Sequence, residues 1–196
     1  MLDRTSKSKK KDNDNYLKQI TDEQKMKLWI KTLISVQANL PEIINSVDKI
    51  IEMNASSLSF ATDIFNAEKT TYAQVERVID LSERKNKLVN IFLISKKLLG
   101  CLCEEDRLFL KRKIVFNWTA EELVEEYKIS LRTVFRKTEK MLDSIFKVTK
   151  QKNWSLNFIK TQVKGEQWLQ DRYNKFEKEF CKTKTPDEES FEMELE

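Results

Sequence analysis

Eight basic side chains gather between Lys128 and Lys152 (Lys128, Arg132, Arg136, Lys137, Lys140, Lys147, Lys150 and Lys152), against two acidic ones, Glu139 and Asp143. Such a cluster attracts phosphate, because Lys and Arg that neutralise a polyanion release its condensed counterions. The balance is reversed at 186–196, where Asp187, Glu188, Glu189, Glu192, Glu194 and Glu196 have no basic neighbour. That segment repels phosphate or competes with it for the basic cluster. Elsewhere the means for chemistry are sparse. The chain has no histidine, which excludes imidazole as base, metal ligand or proton shuttle. Gly100 and Gly165 are its two glycines and stand far apart, so no glycine-rich phosphate loop forms. Cys101-x-Cys103 would need two further soft ligands to hold a metal, and Cys181 supplies at most one. The thiols therefore read as buried or bystander groups, with no metal and no cofactor expected. No paired carboxylates are identifiable, so an enzyme is not expected.

Helices must position the basic cluster. The chain of 196 residues is 40% apolar and 35% charged, with two prolines, Pro41 and Pro186. So few turn residues beside so much Leu, Ile, Lys and Glu predict an all-α fold with short connections. The odd cysteine count and the lack of a signal peptide point to a reducing cytoplasm. No run approaches the roughly 18–20 consecutive apolar residues of a membrane span, so no membrane partner is expected.

Residues 1–20 are polar, carry Lys7 and Lys9 to Lys11, and predict a disordered basic tail. Residues 21–100 predict a helical bundle or hairpin that serves interaction. Its first helix opens on a capping-box pattern, Thr21-x-x-Gln24, and carries Met26, Trp29, Ile30, Leu33 and Leu40 up to a break at Pro41. A second helix carries Ile43, Ile44, Val47, Ile50 and Ile51, and a turn is expected at Asn54 to Ser57. A short helix through Leu58, Ala61 and Phe65 comes next. Thr71-x-x-Gln74 then opens a long helix with Val75, Val78, Ile79, Ser82, Leu88, Val89, Phe92 and Leu99 along one side, and Gly100 as its C-terminal cap. These stripes are core, or an interface to a second copy of the chain or to another protein.

Residues 101–152 carry the basic cluster. Glu104, Glu105 and Asp106 place negative charge on a helix's first turn, with Leu108 and Ile114 as its core contacts. After Asn117-Trp118, Thr119 caps a compact acidic helix from Ala120 to Tyr127, and Ser130 caps a basic one from Leu131. Leu123, Val124, Tyr127, Ile129 and Val134 meet in one small core that fixes the angle between the two. Such a pair, acidic then basic, fits a helix-turn-helix that presents its second helix to the major groove of duplex DNA. That second helix continues through Met141, Leu142, Ile145 and Phe146. Residues 153–182 predict a C-terminal helical extension, capped by Asn153 or Ser155 and split at Gly165. Residues 183–196 predict an acidic disordered tail.

The run Thr119-x-Glu121-Glu122-Leu123-Val124-Glu125-Glu126-Tyr127-Lys128-Ile129-Ser130-x-x-Thr133-Val134-x-Arg136-Lys137 resembles the promoter −35-binding region, region 4, of bacterial sigma factors. The preceding Glu105 to Arg112 is similar to that family's preceding helix, and the resemblance covers about a quarter of the chain. It implies that Leu131, Arg132, Phe135 and Arg136 face bases, with the arginines on guanine edges and the apolar pair on thymine methyls. Phe135 has a core position as its alternative. It further implies that Thr119, Lys128, Ser130, Thr133, Lys137 and Lys140 contact phosphates. The family has a small residue where Val124 stands and glycine where Lys128 stands, which puts Lys128 in a left-handed conformation at roughly 1 kcal/mol. No segment matches the sigma region that melts the −10 element. The layout also looks like small phage-type late-gene activators and divergent sigma-like regulators. The expected function is a sequence-specific transcription regulator, sigma-like or activating, with duplex DNA and RNA polymerase as partners. The alternative is a helical protein–protein interaction module in which the motif is only structural.

Overall fold

Thr21 opens the first helix with the capping box that its sequence encodes. Its Oγ1 accepts the Gln24 N–H at 3.3 Å, and the Gln24 side chain accepts the Thr21 N–H at 3.1 Å. The computed structural model of the chain describes residues 20–60 and 67–182, and every regular element within them is a helix. Residues 1–19 of the predicted basic tail and all of 183–196 lie outside the described residues, as do Ala61 and Phe65 of the predicted short helix, while Ile20, expected in the disordered tail, is buried.

Helix α1 (Asp22–Ser35) is the hub. Trp29, Ile30, Leu33 and Ile34 are withdrawn from water, because this helix is packed by others on several sides. The Trp29 ring stacks on Tyr173 near the chain's C-terminal end, with centroids 4.4 Å apart. Burying side chains of this size contributes about 1.5–3 kcal/mol each. Two polar residues are buried with them and bond locally, Thr32 Oγ1 to the Leu28 carbonyl and Ser35 Oγ to the Thr32 carbonyl, each at 2.8 Å.

The chain turns after Ser35, and Leu40 belongs to α2 (Leu40–Phe60) rather than to α1. Pro41 sits in the first turn of α2, where its missing N–H has no intrahelical partner to lose. The turn expected at Asn54 to Ser57 does not form. Asn54 Nδ2 donates to the Ile50 carbonyl at 2.7 Å, Ser56 to that of Glu52 and Ser57 to that of Asn54, each at 2.8 Å, so these polar side chains bond within a continuing helix.

Helix α3 (Ala67–Gly100) starts ahead of Thr71, which leaves Thr71 and Gln74 inside it rather than at a cap. Leu88, Ile91, Ile94, Leu98 and Leu99 are buried, while Val75 and Ile79, expected on the same stripe, face solvent. Gly100 is the last helical residue and does not take the left-handed cap conformation. The end of α3 is closed by Arg107 instead, whose Nε donates to the Leu99 carbonyl at 3.2 Å and Nη2 to that of Leu102 at 3.0 Å. Helix α4 (Glu104–Ile114) buries Phe109, Leu110 and Ile114, whereas Leu108, an expected core residue, is 46% exposed.

Helices α5 (Ala120–Tyr127), α6 (Leu131–Gln151), α7 (Leu156–Val163) and α8 (Gln167–Lys182) complete the chain. Ser155 caps α7 by accepting the Phe158 N–H at 3.1 Å, and Gly165 breaks the helix at φ +93°. Beside that break Glu166 is buried and accepts two bonds from Arg84 of α3, at 2.8 and 3.0 Å. One continuous apolar cluster runs from Met26 of α1 to Phe176 of α8 and includes Leu123 and Val134 of the predicted motif. Among the described residues no helix is long and apolar enough to cross a membrane.

Candidate nucleic-acid interface

Thr119, Lys128 and Ser130 set the path of the chain through α5 and α6. Thr119 Oγ1 accepts the Glu122 N–H at 3.2 Å, and the Glu122 carboxylate accepts the Thr119 N–H at 2.6 Å. A cap of this kind is worth about 1 kcal/mol. Lys128 ends α5 in the left-handed region, at φ 51° and ψ 43°. That single conformation turns the chain within three residues, and Ser130 restarts it by accepting the Thr133 N–H at 3.3 Å. The hydroxyls of Ser130 and Thr133 also bond each other at 2.8 Å.

Leu123 and Val134 are fully buried between the two helices, and Val124, Tyr127 and Ile129 pack partly buried around them. This is the small core that the sequence predicts. Helix α4 supports it from behind. Phe109 meets Tyr127 edge to face at 4.9 Å. Arg112 bonds Glu126 at 2.6 Å and lies over the Trp118 and Tyr127 rings. Neither contact has a local sequence signal, since each joins residues of different helices.

Packing Val134, Met141 and Ile145 inward leaves the opposite side of α6 in water. Arg132, Arg136 and Lys140 are exposed there, and among the described residues they make no ion pair. Leu131 and Phe135 are 45% and 55% exposed at the near end of the same helix. The alternative of Phe135 as a core residue is thereby overturned: Val134 occupies the inward position and Phe135 lines a groove that opens to solvent. Thr119, Lys128 and Ser130 are exposed along the edge, and Thr133 is half-buried. Lys137 behaves differently. Its ammonium lies 3.2 Å from Asp106 and over the rings of Phe109 and Tyr127, so it faces α4 instead of joining the outward arginines.

Cys101 Sγ donates to the Leu98 carbonyl at 2.6 Å, and burial pushes its thiol pKa up. Among the described residues no group of three or more Cys, Asp or Glu is placed to hold a metal ion. No protein-family model, curated protein or solved structure matches the chain.

Proposed function

We propose that this chain is a sequence-specific duplex DNA-binding regulator of transcription, with α5 and α6 acting as a helix-turn-helix and α6 entering the major groove. The observation that carries the reading is the exposed edge of α6. Arg132, Arg136 and Lys140 point away from the core without carboxylate partners among the described residues, just beyond a three-residue turn held by left-handed Lys128 and the capping hydroxyl of Ser130. Arginine forks at the start of a helix suit guanine edges, and lysines flanking them suit phosphates. In this reading Arg132 and Arg136 read bases, and Leu131 and Phe135 touch thymine methyls. Thr119, Lys128, Ser130, Thr133 and Lys140 hold the backbone. Lys137 orients the helix through Asp106 rather than touching phosphate.

RNA polymerase is the protein partner this reading requires, whether the chain acts as a sigma-like factor or as an activator, and the site of action is then the cytoplasm. Selection from a random duplex library with the full chain tests the reading. An enriched motif containing guanine steps is expected, with affinity falling steeply as salt rises. Recovery of no motif would overturn it.

A second reading, a helical interaction module, is favoured by one feature. Met53 of α2 and Tyr72 of α3 are 72% and 76% exposed, in an α2–α3 pair that also leaves Ile50, Val75 and Ile79 in water. A tight protein partner with no preference among duplexes would support that reading instead.

A further inference from the structure

A groove of about 920 Å³ lies between α1, α4, α6 and α8, beside the start of α6. Its apolar lining comes from Leu28, Ile114, Trp118, Phe135, Leu142 and Phe176. Five cations ring it: Lys27, Lys31, Lys113, Arg172 and Lys175. Three carboxylates, Glu139, Asp143 and Glu179, line it as well. Lys27 is held by Asp143 at 2.6 Å and Lys31 reaches Glu179 at 3.9 Å. Lys113, Arg172 and Lys175 have no carboxylate partner among the described residues. Positive charge is therefore in excess. Lys31 registers it: burial pushes its pKa down, Glu179 offsets part of that, and the charges of Lys113 and Arg172 push it down further.

The occupant that fits is in the same chain. Residues 183–196 follow directly on α8, which forms one wall of the groove. They end in Phe191-Glu192-Met193-Glu194-Leu195-Glu196, a strict alternation of apolar and acidic residues. In an extended chain alternate side chains face opposite ways. Phe191, Met193 and Leu195 would then meet the aromatic floor while the three glutamates meet the lysine rim. The residues from 183 to 190 span up to roughly 28 Å at about 3.3–3.6 Å each, several helical turns' worth of reach back along α8.

We propose that residues 183–196 dock in this groove in cis and thereby hold α6 away from DNA. Docking covers Phe135 and adds carboxylates to the groove beside the start of α6, where they repel phosphate. The docking half stands on the groove and the tail sequence alone; the competition half rests on the DNA-binding reading.

The test compares the full chain with a full-length variant carrying Phe191→Ser, Met193→Ser and Leu195→Ser, all beyond α8. Acetylation rates of Lys113 and Lys175, read by mass spectrometry, should be at least threefold slower in the unaltered chain and independent of protein concentration. Equal rates would overturn docking. Protection that appears only as concentration rises would assign the groove to a second copy and overturn the cis arrangement. A second full-length variant, Lys113→Glu with Lys175→Glu, should open the segment after α8 to limited proteolysis as the tail variant does; a cleavage rate unchanged from the unaltered chain overturns the charge complementarity. On a duplex bearing the selected motif, the tail variant should bind about tenfold more tightly. Slow acetylation with unchanged affinity overturns the competition half alone. If neither chain binds any duplex, the competition falls together with the DNA-binding reading, while the lysine rates still decide docking.

Discussion

Asp106 of α4 and Lys137 of α6 lie 3.2 Å apart, with the lysine also over the Phe109 and Tyr127 rings, and this contact turns Lys137 away from the outward side that Arg132, Arg136 and Lys140 share. The pair is partly solvated, at 34% and 36% side-chain exposure, so screening limits its worth to about 1 kcal/mol even with the ring contacts. Lys137→Ala should lower thermal stability by about that amount and leave the salt dependence of DNA binding unchanged. Lys140→Ala should do the reverse, with stability unchanged and the slope of log affinity against log salt reduced by about 0.9. Thermal melts and DNA titrations at several salt concentrations separate the two. The opposite assignment would show Lys137 to be the phosphate ligand.

Lys128 has two roles that one substitution can divide. Its φ of 51° costs a side-chain-bearing residue roughly 1 kcal/mol or more, and glycine adopts that conformation without the penalty. Lys128→Gly should therefore raise stability by about 0.5–1 kcal/mol, part of the gain being lost to the freer unfolded chain. The same change removes an exposed cation at the edge of α6, so DNA affinity should fall at low salt. Lys128→Val should destabilise, because a β-branched residue tolerates positive φ poorly. Denaturant titration of the three proteins checks the order Gly, Lys, Val.

Arg84 and Glu166 make stability depend on pH. Burial of the Glu166 carboxyl raises its pKa, but the bonds from Arg84 and Trp168 outweigh that and hold it below the ordinary value of 4.5. The folded state thus binds the proton less readily than the unfolded chain. The pair's contribution is fully present above the unfolded pKa and is lost as pH falls through the lower folded one. Glu166→Gln should cost about 1–3 kcal/mol at pH 7. The gap between the two proteins should narrow as pH drops below 4.5 and stay constant between pH 6 and 8. Melting temperatures measured across that range test the sign, and a gap that widens in acid would reverse it.

The all-α fold and the boundaries of α5 and α6 are legible in the sequence because their signals are local. Thr119, Ser130, Ser155 and Gly165 act within a turn of where they stand, and the structure has them ending or opening helices. Signals that depend on neighbours mislead. Asn54 to Ser57 read as a turn until their side chains are seen bonding back into α2. Gly100 reads as a cap, yet Arg107 of the following helix closes α3. Leu108 and Phe109 are adjacent and both apolar, and only the packing of the helices separates them, with Phe109 inward against the Tyr127 ring and the shared core and Leu108 46% exposed. The same limit applies to the candidate site. Its cations are visible as a cluster, but the turning of Lys137 toward Asp106, and the groove that α1 and α8 build beside Phe135, come from contacts between distant segments.

Arg132 and Arg136 give the sharpest test of the proposed function. Both stand on the exposed side of α6 without a carboxylate partner among the described residues, so neither is expected to support the fold. A bidentate arginine–guanine contact is worth about 1–3 kcal/mol of discrimination, or roughly 5- to 150-fold per residue. Alanine at either position should relax the preference at one base pair of the selected motif. Alanine at both should bring affinity for that motif down to that for unrelated duplex, while residual binding keeps most of its salt dependence through Lys128 and Lys140. Circular dichroism and the melting temperature should not move, since surface substitutions of this kind usually stay within about 0.5 kcal/mol. Unchanged discrimination in the double variant, with the fold intact, would remove α6 as the reading element.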